Sequence, residues 1–287
     1  MAHGKGLKHG KGSCKRAIDY LLGDHDHAGE PRHGVDVLRG DPYAVAALAD
    51  SLKFSQKYTS YVYGWATEEA PTAAEISALV DDWAALAFAG MERDRVMYTV
   101  IQHTSAEGKI DLHIVAARVD LEAGKSFNPC PPGSLKSFDA VRDLHNWTNG
   151  WARPDDPDRA RLQQPGRVAH AQVDEAEAPR TKPAMLAALQ AMVDAGELTT
   201  GTEVRELARQ WGAVTREGTN YISIKAPGAG RAVRLQGEMF KAGWTAASEP
   251  ARQARKAAVR STGRGGQVDP AMAAEARQRL NAAIASR

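Results

Sequence analysis

Apolar and polar positions alternate most clearly between residues 96 and 119. Residues 96–103, ending in His103, and residues 111–119, opening on Asp111, are β-branched runs joined by a polar loop containing Gly108. This pattern predicts an antiparallel hairpin. Residues 58–65 are rich in aromatic and β-branched side chains and predict a further strand. Helical spacing marks three other stretches. Residues 14–22 place Ala17, Ile18, Leu21 and Leu22 on one side before Gly23 stops the run. Thr72 and Glu75 form a capping-box signature behind Pro71, and Ile76, Leu79, Val80, Trp83 and Leu86 keep the period up to Gly90. Residues 137–147 turn Phe138, Val141 and Leu144 inward. Strand, helix, hairpin, helix predicts an α+β fold with a central antiparallel sheet flanked by helices.

Three regions follow from composition. Gly150, Pro154, Pro157 and Pro165 interrupt a charged stretch, so a first domain is expected over residues 1–165. Residues 166–249 carry helical patterns at 183–196 and 202–211, then strands at 221–225 and 231–235 around the turn at 227–230. This smaller region reads either as a helix-turn-helix with a basic wing or as a helical cap on the main domain. Residues 250–287 are rich in Ala and Arg, and a loosely held, partly helical basic tail is expected. The Gly-, Lys- and His-rich start reads as flexible, and residues 24–33 as a solvated loop.

Charge changes the picture by its placement. The chain of 287 residues has a formal charge of only +2. Yet Lys5, Lys8, Lys11, Lys15 and Arg16 precede the first acid, Asp19, and Arg252, Arg255, Lys256, Arg260 and Arg264 follow one another without an acid. Such ends attract phosphate. Cys14 and Cys130 are too few for a disulfide framework. No apolar run reaches membrane-spanning length and no signal-peptide core is visible, so a cytoplasmic protein without membrane contact is expected.

Candidate chemistry follows from the hairpin. Alternation puts Asp111 and His113 on one sheet face, with His103 able to sit beside them on the partner strand. A carboxylate and two imidazoles suit a divalent cation, magnesium or manganese by preference. Tyr20 lies one turn from Arg16 on the N-terminal helix. A free phenol, with a pKa of about 10, is a poor nucleophile until nearby positive charge favours its phenolate. Lys15, Arg16 and the cation could supply that charge and steer a phosphodiester. Tyr58, Tyr61 and Tyr63 compete for the role but are explained by sheet packing. A general base is left open among Asp19, Glu68, Glu69 and Asp94. The same ligand trio also matches non-haem iron oxygenases, although its local order, His then Asp-x-His, differs from theirs. A non-enzymatic reading is a DNA-binding accessory protein or repressor that uses residues 200–236 and the basic end.

Residues 15–23, with Tyr20 at their centre, and the His103, Asp111, His113 arrangement resemble the relaxases, or mobilisation nucleases. The resemblance covers roughly the first 165 residues. It implies a relaxase-like fold, Tyr20 as nucleophile, His103, Asp111 and His113 as metal ligands, and Asp111 standing where a histidine is usual. It further implies nicking of one strand of single-stranded or locally melted plasmid DNA at an origin of transfer through a 5′-phosphotyrosyl link that can be rejoined. An accessory mobilisation protein and a type IV secretion coupling protein are the implied partners. Residues 220–235 also resemble a segment found downstream of some mobilisation relaxase domains.

Overall fold

The computed structural model describes residues 3–7, 10–26, 29–153, 156, 161–164, 181–261 and 264–287. The chain divides into two compact units, Met1–Pro154 with Val259–Arg287, and Asp155–Ala258.

The first unit is built on a five-stranded antiparallel sheet of β1 (His3–Gly6), β2 (Gly34–Arg39), β3 (Tyr58–Trp65), β4 (Tyr98–Thr104) and β5 (Ile110–Ala117), in the spatial order β1-β3-β5-β4-β2. Strands β4 and β5 are the expected hairpin. Tyr61, Tyr63 and Trp65 on β3 and Leu112 and Ile114 on β5 point to one face, where they form a core with Trp83 and Phe138. Ile101, Val115 and Ala117 point to the other, where they pack with Cys14, Ile18, Val45 and Ala49. Helices α1 (Cys14–Leu22) and α2 (Pro42–Ser51) therefore cover one face, and α3 (Ala73–Ala87) and α4 (Leu135–Asn149) the other. The Thr72–Glu75 capping box opens α3 as its sequence predicts.

Residues 3–6 of the glycine-rich start form a strand rather than a flexible lead. A Cβ on Gly4 would stand 2.6 Å from Tyr63 Cε1 and 2.7 Å from Tyr61 Oη, so only glycine lets β1 lie across these tyrosine rings. Packing outweighs the poor strand propensity of glycine there.

The second unit holds α5 (Lys182–Asp194), α6 (Gly201–Gln210) and a three-stranded antiparallel sheet, β6 (Ala213–Gly218), β7 (Tyr221–Lys225) and β8 (Val233–Gln236), in that order. Its core joins Met185, Leu189, Val204, Ile222, Ile224, Leu235 and Phe240. Residues 161–164 belong to it, with the Gln164 N–H donating to the Gln236 carbonyl at 2.7 Å.

The C-terminal tail departs from its sequence reading. Helix α7 (Glu249–Ser261) spans the sequence boundary of the units, and α8 (Pro270–Ala285) is an integral helix of the first. Ala276 and Leu280 of α8 are fully buried in the aromatic core, and α8 packs along α4. Polar contacts fix it there. Asp82 of α3 accepts from His145 Nε2 of α4 at 2.8 Å and from Arg277 of α8, while Arg264 holds Glu75 at 2.8 Å. The first compact unit accordingly ends near residue 154 and resumes at 259, whereas composition alone suggested one block ending at 165. Leu280→Ala should lower the unfolding free energy by about 2–5 kcal/mol. A loosely held tail would show a change within about 0.5 kcal/mol in urea denaturation.

Candidate active site

The register of β4 with β5 sets the geometry. His103 pairs with Asp111 and Ile101 with His113, so all three candidate ligands lie on the face that carries Val115 and Ala117. Helices α1 and α2 cover the Val115 end of this face, and the histidines lie at the other end, in an open pocket of about 530 Å³. The His103 and His113 rings stand 4.5 Å apart between centroids at 48°. Gly64 of β3 is the other cross-strand neighbour of Asp111, and a Cβ there would meet Asp111 Oδ1 at 2.7 Å. This glycine makes the room that the carboxylate occupies.

Hydrogen bonding assigns the rings. His103 Nε2 donates to the Leu21 carbonyl at 2.7 Å, which leaves Nδ1 with its lone pair free to accept a proton or a cation. Burial lowers the His103 pKa, reinforced by the Arg32 charge and opposed by the Leu21 hydrogen bond and Asp111. Burial, then the neighbouring His103, pushes His113 down to about 4. Both rings are therefore neutral at pH 7, the state in which imidazole binds metal. Asp111 is engaged by Lys109 at 2.6 Å, and among the described residues no three His, Cys, Asp or Glu side chains converge as a metal-binding group. Neutral imidazole is a donor type that divalent ions take, so the donor set suits such an ion by its chemistry. Asp111 would have to turn from Lys109 to join the two rings.

Helix α1 presents Tyr20 to the same pocket. Asp50 of α2 fixes the start of this helix, accepting from the Cys14 N–H at 2.7 Å, the Lys15 N–H at 3.0 Å and Ser13 Oγ at 2.8 Å. Burial alone would raise the Asp50 pKa, but these donors together bring it below the ordinary value. Ile18 and Leu21 anchor the buried side of the helix, and Tyr20 stays 46% exposed, open to a substrate. Arg32 holds the other end. Its guanidinium donates to the Tyr20 carbonyl at 2.5 Å and the Gly23 carbonyl at 2.8 Å, and its carbon lies 4.6 Å from the Tyr20 ring centroid.

Several sequence expectations change here. Of the stretch 24–33, residues 27 and 28 lie outside the described residues, and the rest is not simply a solvated loop, since Asp26, Glu30, Arg32 and His33 line the pocket. Lys15 closes on Asp19 at 2.8 Å, and neither Lys15 nor Arg16 lines the pocket, so the cation beside the phenol ring is Arg32. Asp19, Glu68, Glu69 and Asp94 are also absent from the lining, whose carboxylates besides Asp111 are Asp26, Glu30 and Glu107. Glu69 is fully buried and accepts the Ala152 N–H at 3.2 Å. Tyr58, Tyr61 and Tyr63 are core side chains, each with a pKa raised by burial.

No family model matches the chain. It is 28% identical over 239 residues to DNA relaxase MbeA of Escherichia coli, an alignment covering 81% of this chain and 43% of that protein. It is 34% identical over 149 residues to cryptic plasmid protein C of Neisseria gonorrhoeae, covering 52% of this chain and 70% of that relative. The chain belongs to the mobilisation relaxase family. Its antiparallel sheet with flanking helices is a relaxase-like α+β fold. Among the described residues of this relaxase no helix is long and apolar enough to cross a membrane.

The depressed His113 pKa gives this pocket a pH signature. Between about 6.5 and about 4 the unfolded chain binds a proton at this position that the folded chain refuses. The contribution to stability is complete above pH 6.5 and is lost as pH falls through that window. His113→Gln should therefore flatten the acid-side decline of the urea-unfolding free energy by about 1–3 kcal/mol. A His113 ring resonance, assigned by its loss in His113→Gln, that titrates near 6.5 in the folded wild type would contradict it.

Proposed function

We propose that the chain nicks one strand of plasmid DNA at an origin of transfer and can reseal it. The supporting observation is the convergence of Tyr20, Arg32, His103, Asp111 and His113 on one pocket in a member of the relaxase family. The Tyr20 oxygen attacks the scissile phosphorus and the bond from phosphorus to the 3′ oxygen breaks. The departing strand gains a 3′-hydroxyl, and the 5′ phosphate stays on the enzyme as a phosphotyrosine. Attack by that hydroxyl on the same phosphorus reverses the step without an external energy source.

Each side chain has a part. Arg32 keeps the phenol ring in place and adds positive charge where phosphate oxygens arrive. His103 and His113, with Asp111 once released from Lys109, would hold magnesium or manganese. When bound, that ion offsets negative charge on a non-bridging oxygen. Single-stranded or locally melted DNA fits this open pocket better than a closed duplex, because the scissile phosphate must reach a side chain on a helix. The nicked complex would pass to a coupling protein of a type IV secretion channel, with or without an accessory mobilisation protein, as the family resemblance implies.

Incubating the protein with an internally labelled origin oligonucleotide and manganese, then denaturing, should leave label on the protein. Tyr20→Phe should abolish this adduct while changing oligonucleotide affinity by less than about threefold, and Tyr61→Phe should retain it. An adduct that survives Tyr20→Phe refutes the assignment. Manganese titration by calorimetry should show affinity reduced about 10–100-fold in His103→Ala and His113→Ala, and chelation should stop adduct formation. Unchanged manganese binding in both variants would remove the metal from these histidines.

A further inference from the structure

The second unit carries a charged surface that the nicking chemistry does not use. Ile222, Ile224 and Leu235 face its core, so the alternate positions lie on the opposite face, where Arg216, Lys225 and Arg234 are exposed, Tyr221 is half-buried and Ser223 is buried between its neighbours. Register sets Arg216 of β6 and Arg234 of β8 on either side of Ser223 of β7, a row of two cations about 10 Å apart across three strands. Tyr221 follows on the same face, with the Arg234 guanidinium 4.4 Å from its ring centroid. Lys225 and, in the β7–β8 turn, Arg231 add exposed charge. Lys182, at the first position of α5, is near enough to Arg234 for that charge, together with burial, to lower its pKa.

The acid next to Arg216 in the chain points away from this row. Glu217 pairs with Ile222 in the register and therefore projects toward α6, where Arg205 and Arg209 hold it at 2.6 and 2.7 Å. Arg205 also donates to the Gly218 and Thr219 carbonyls at 2.7 and 2.8 Å. The helix that a helix-turn-helix would insert into a groove thus has these two cations already engaged within the unit. By contrast, no ion pair among the described residues involves Arg216, Lys225, Arg231 or Arg234. Clustered exposed cations without counter-charges, interleaved with an aromatic ring, form a surface complementary to a phosphodiester backbone with a base to stack.

We propose that the outer face of the β6-β7-β8 sheet is a second DNA-binding surface, with Arg216 and Arg234 contacting phosphates and Tyr221 offering its ring to a base. It goes beyond the nicking reading and does not depend on Tyr20. The test is fluorescence anisotropy of the full chain with a labelled 30-nucleotide single strand and its duplex, each of random sequence, across a salt series. The double substitution Arg216→Glu with Arg234→Glu should weaken binding at least tenfold and reduce the slope of log affinity against log salt by about 2. Arg209→Ala, which removes an exposed cation from α6, should change affinity less than twofold. The DNA form whose binding the double substitution weakens more is the one this face prefers.

Unchanged affinity and slope in the double variant would overturn it, as would an equal loss in Arg209→Ala. Should the double variant lose its fold by circular dichroism, ultraviolet cross-linking of the wild-type protein decides. A cross-link on the peptide containing Tyr221 supports the surface, and cross-links confined to the first unit overturn it. Adduct formation in the double variant at saturating oligonucleotide should equal wild type. Absence of an adduct in wild type itself would instead count against the nicking reading and leave the binding comparison intact.

Discussion

The pairing register of β4 with β5 is the constraint on which the rest of the molecule depends. The two faces of this hairpin have opposite duties. One delivers Leu112 and Ile114 to a core of tryptophans and tyrosines, and the other delivers Asp111 and His113 to the pocket and Val115 to α1 and α2. A slip of one residue would exchange them, burying a carboxylate and an imidazole among aromatic rings while exposing leucine and isoleucine. The hydrophobic cost of that exchange enforces the arrangement of the pocket, so the site inherits its geometry from the core.

A second link joins helix α1 to the hairpin. The Leu21 carbonyl lies at the end of α1, where helical carbonyls lack partners, and His103 supplies one. Arg32 supplies others at Tyr20 and Gly23. The groups that would handle the cation and the group that would attack phosphorus are thereby connected through one helix terminus. Asp50 fixes the opposite terminus. A nine-residue helix is marginal alone, and here it is held at both ends by side chains from other segments.

What the sequence disclosed followed the range of the interactions concerned. The hairpin, α3 with its capping box and β7 depend on local periodicity, and their positions could be read directly. Arg32 acts from a polar stretch without a periodic pattern, and Asp50 acts over 35–37 residues from the end of a helix whose apolar side, Val45, Ala46 and Ala49, does not reveal the partner of its polar one, so nothing local marked them. Gly64 left a faint signal as a glycine interrupting an aromatic strand. Strand β1 was obscured because its glycines serve the rings of Tyr61 and Tyr63 rather than any propensity of their own. Helix α8 is so rich in alanine that the inward role of Leu280 is visible only against the core it completes. The segment 24–33 looked like solvent-facing loop because it is polar, and polarity also suits the wall of a pocket for a charged substrate.

The order of the units along the chain has a practical consequence. The compact unit around the sheet is discontinuous, its closing helix α8 arriving only after the whole of Asp155–Ala258. Cutting the gene after the proline-rich stretch would yield a fragment in which the sides of α4 and α3 that pack against α8 lie open to water. A minimal version of this unit calls for joining its two stretches and leaving out the intervening segment, rather than for truncation.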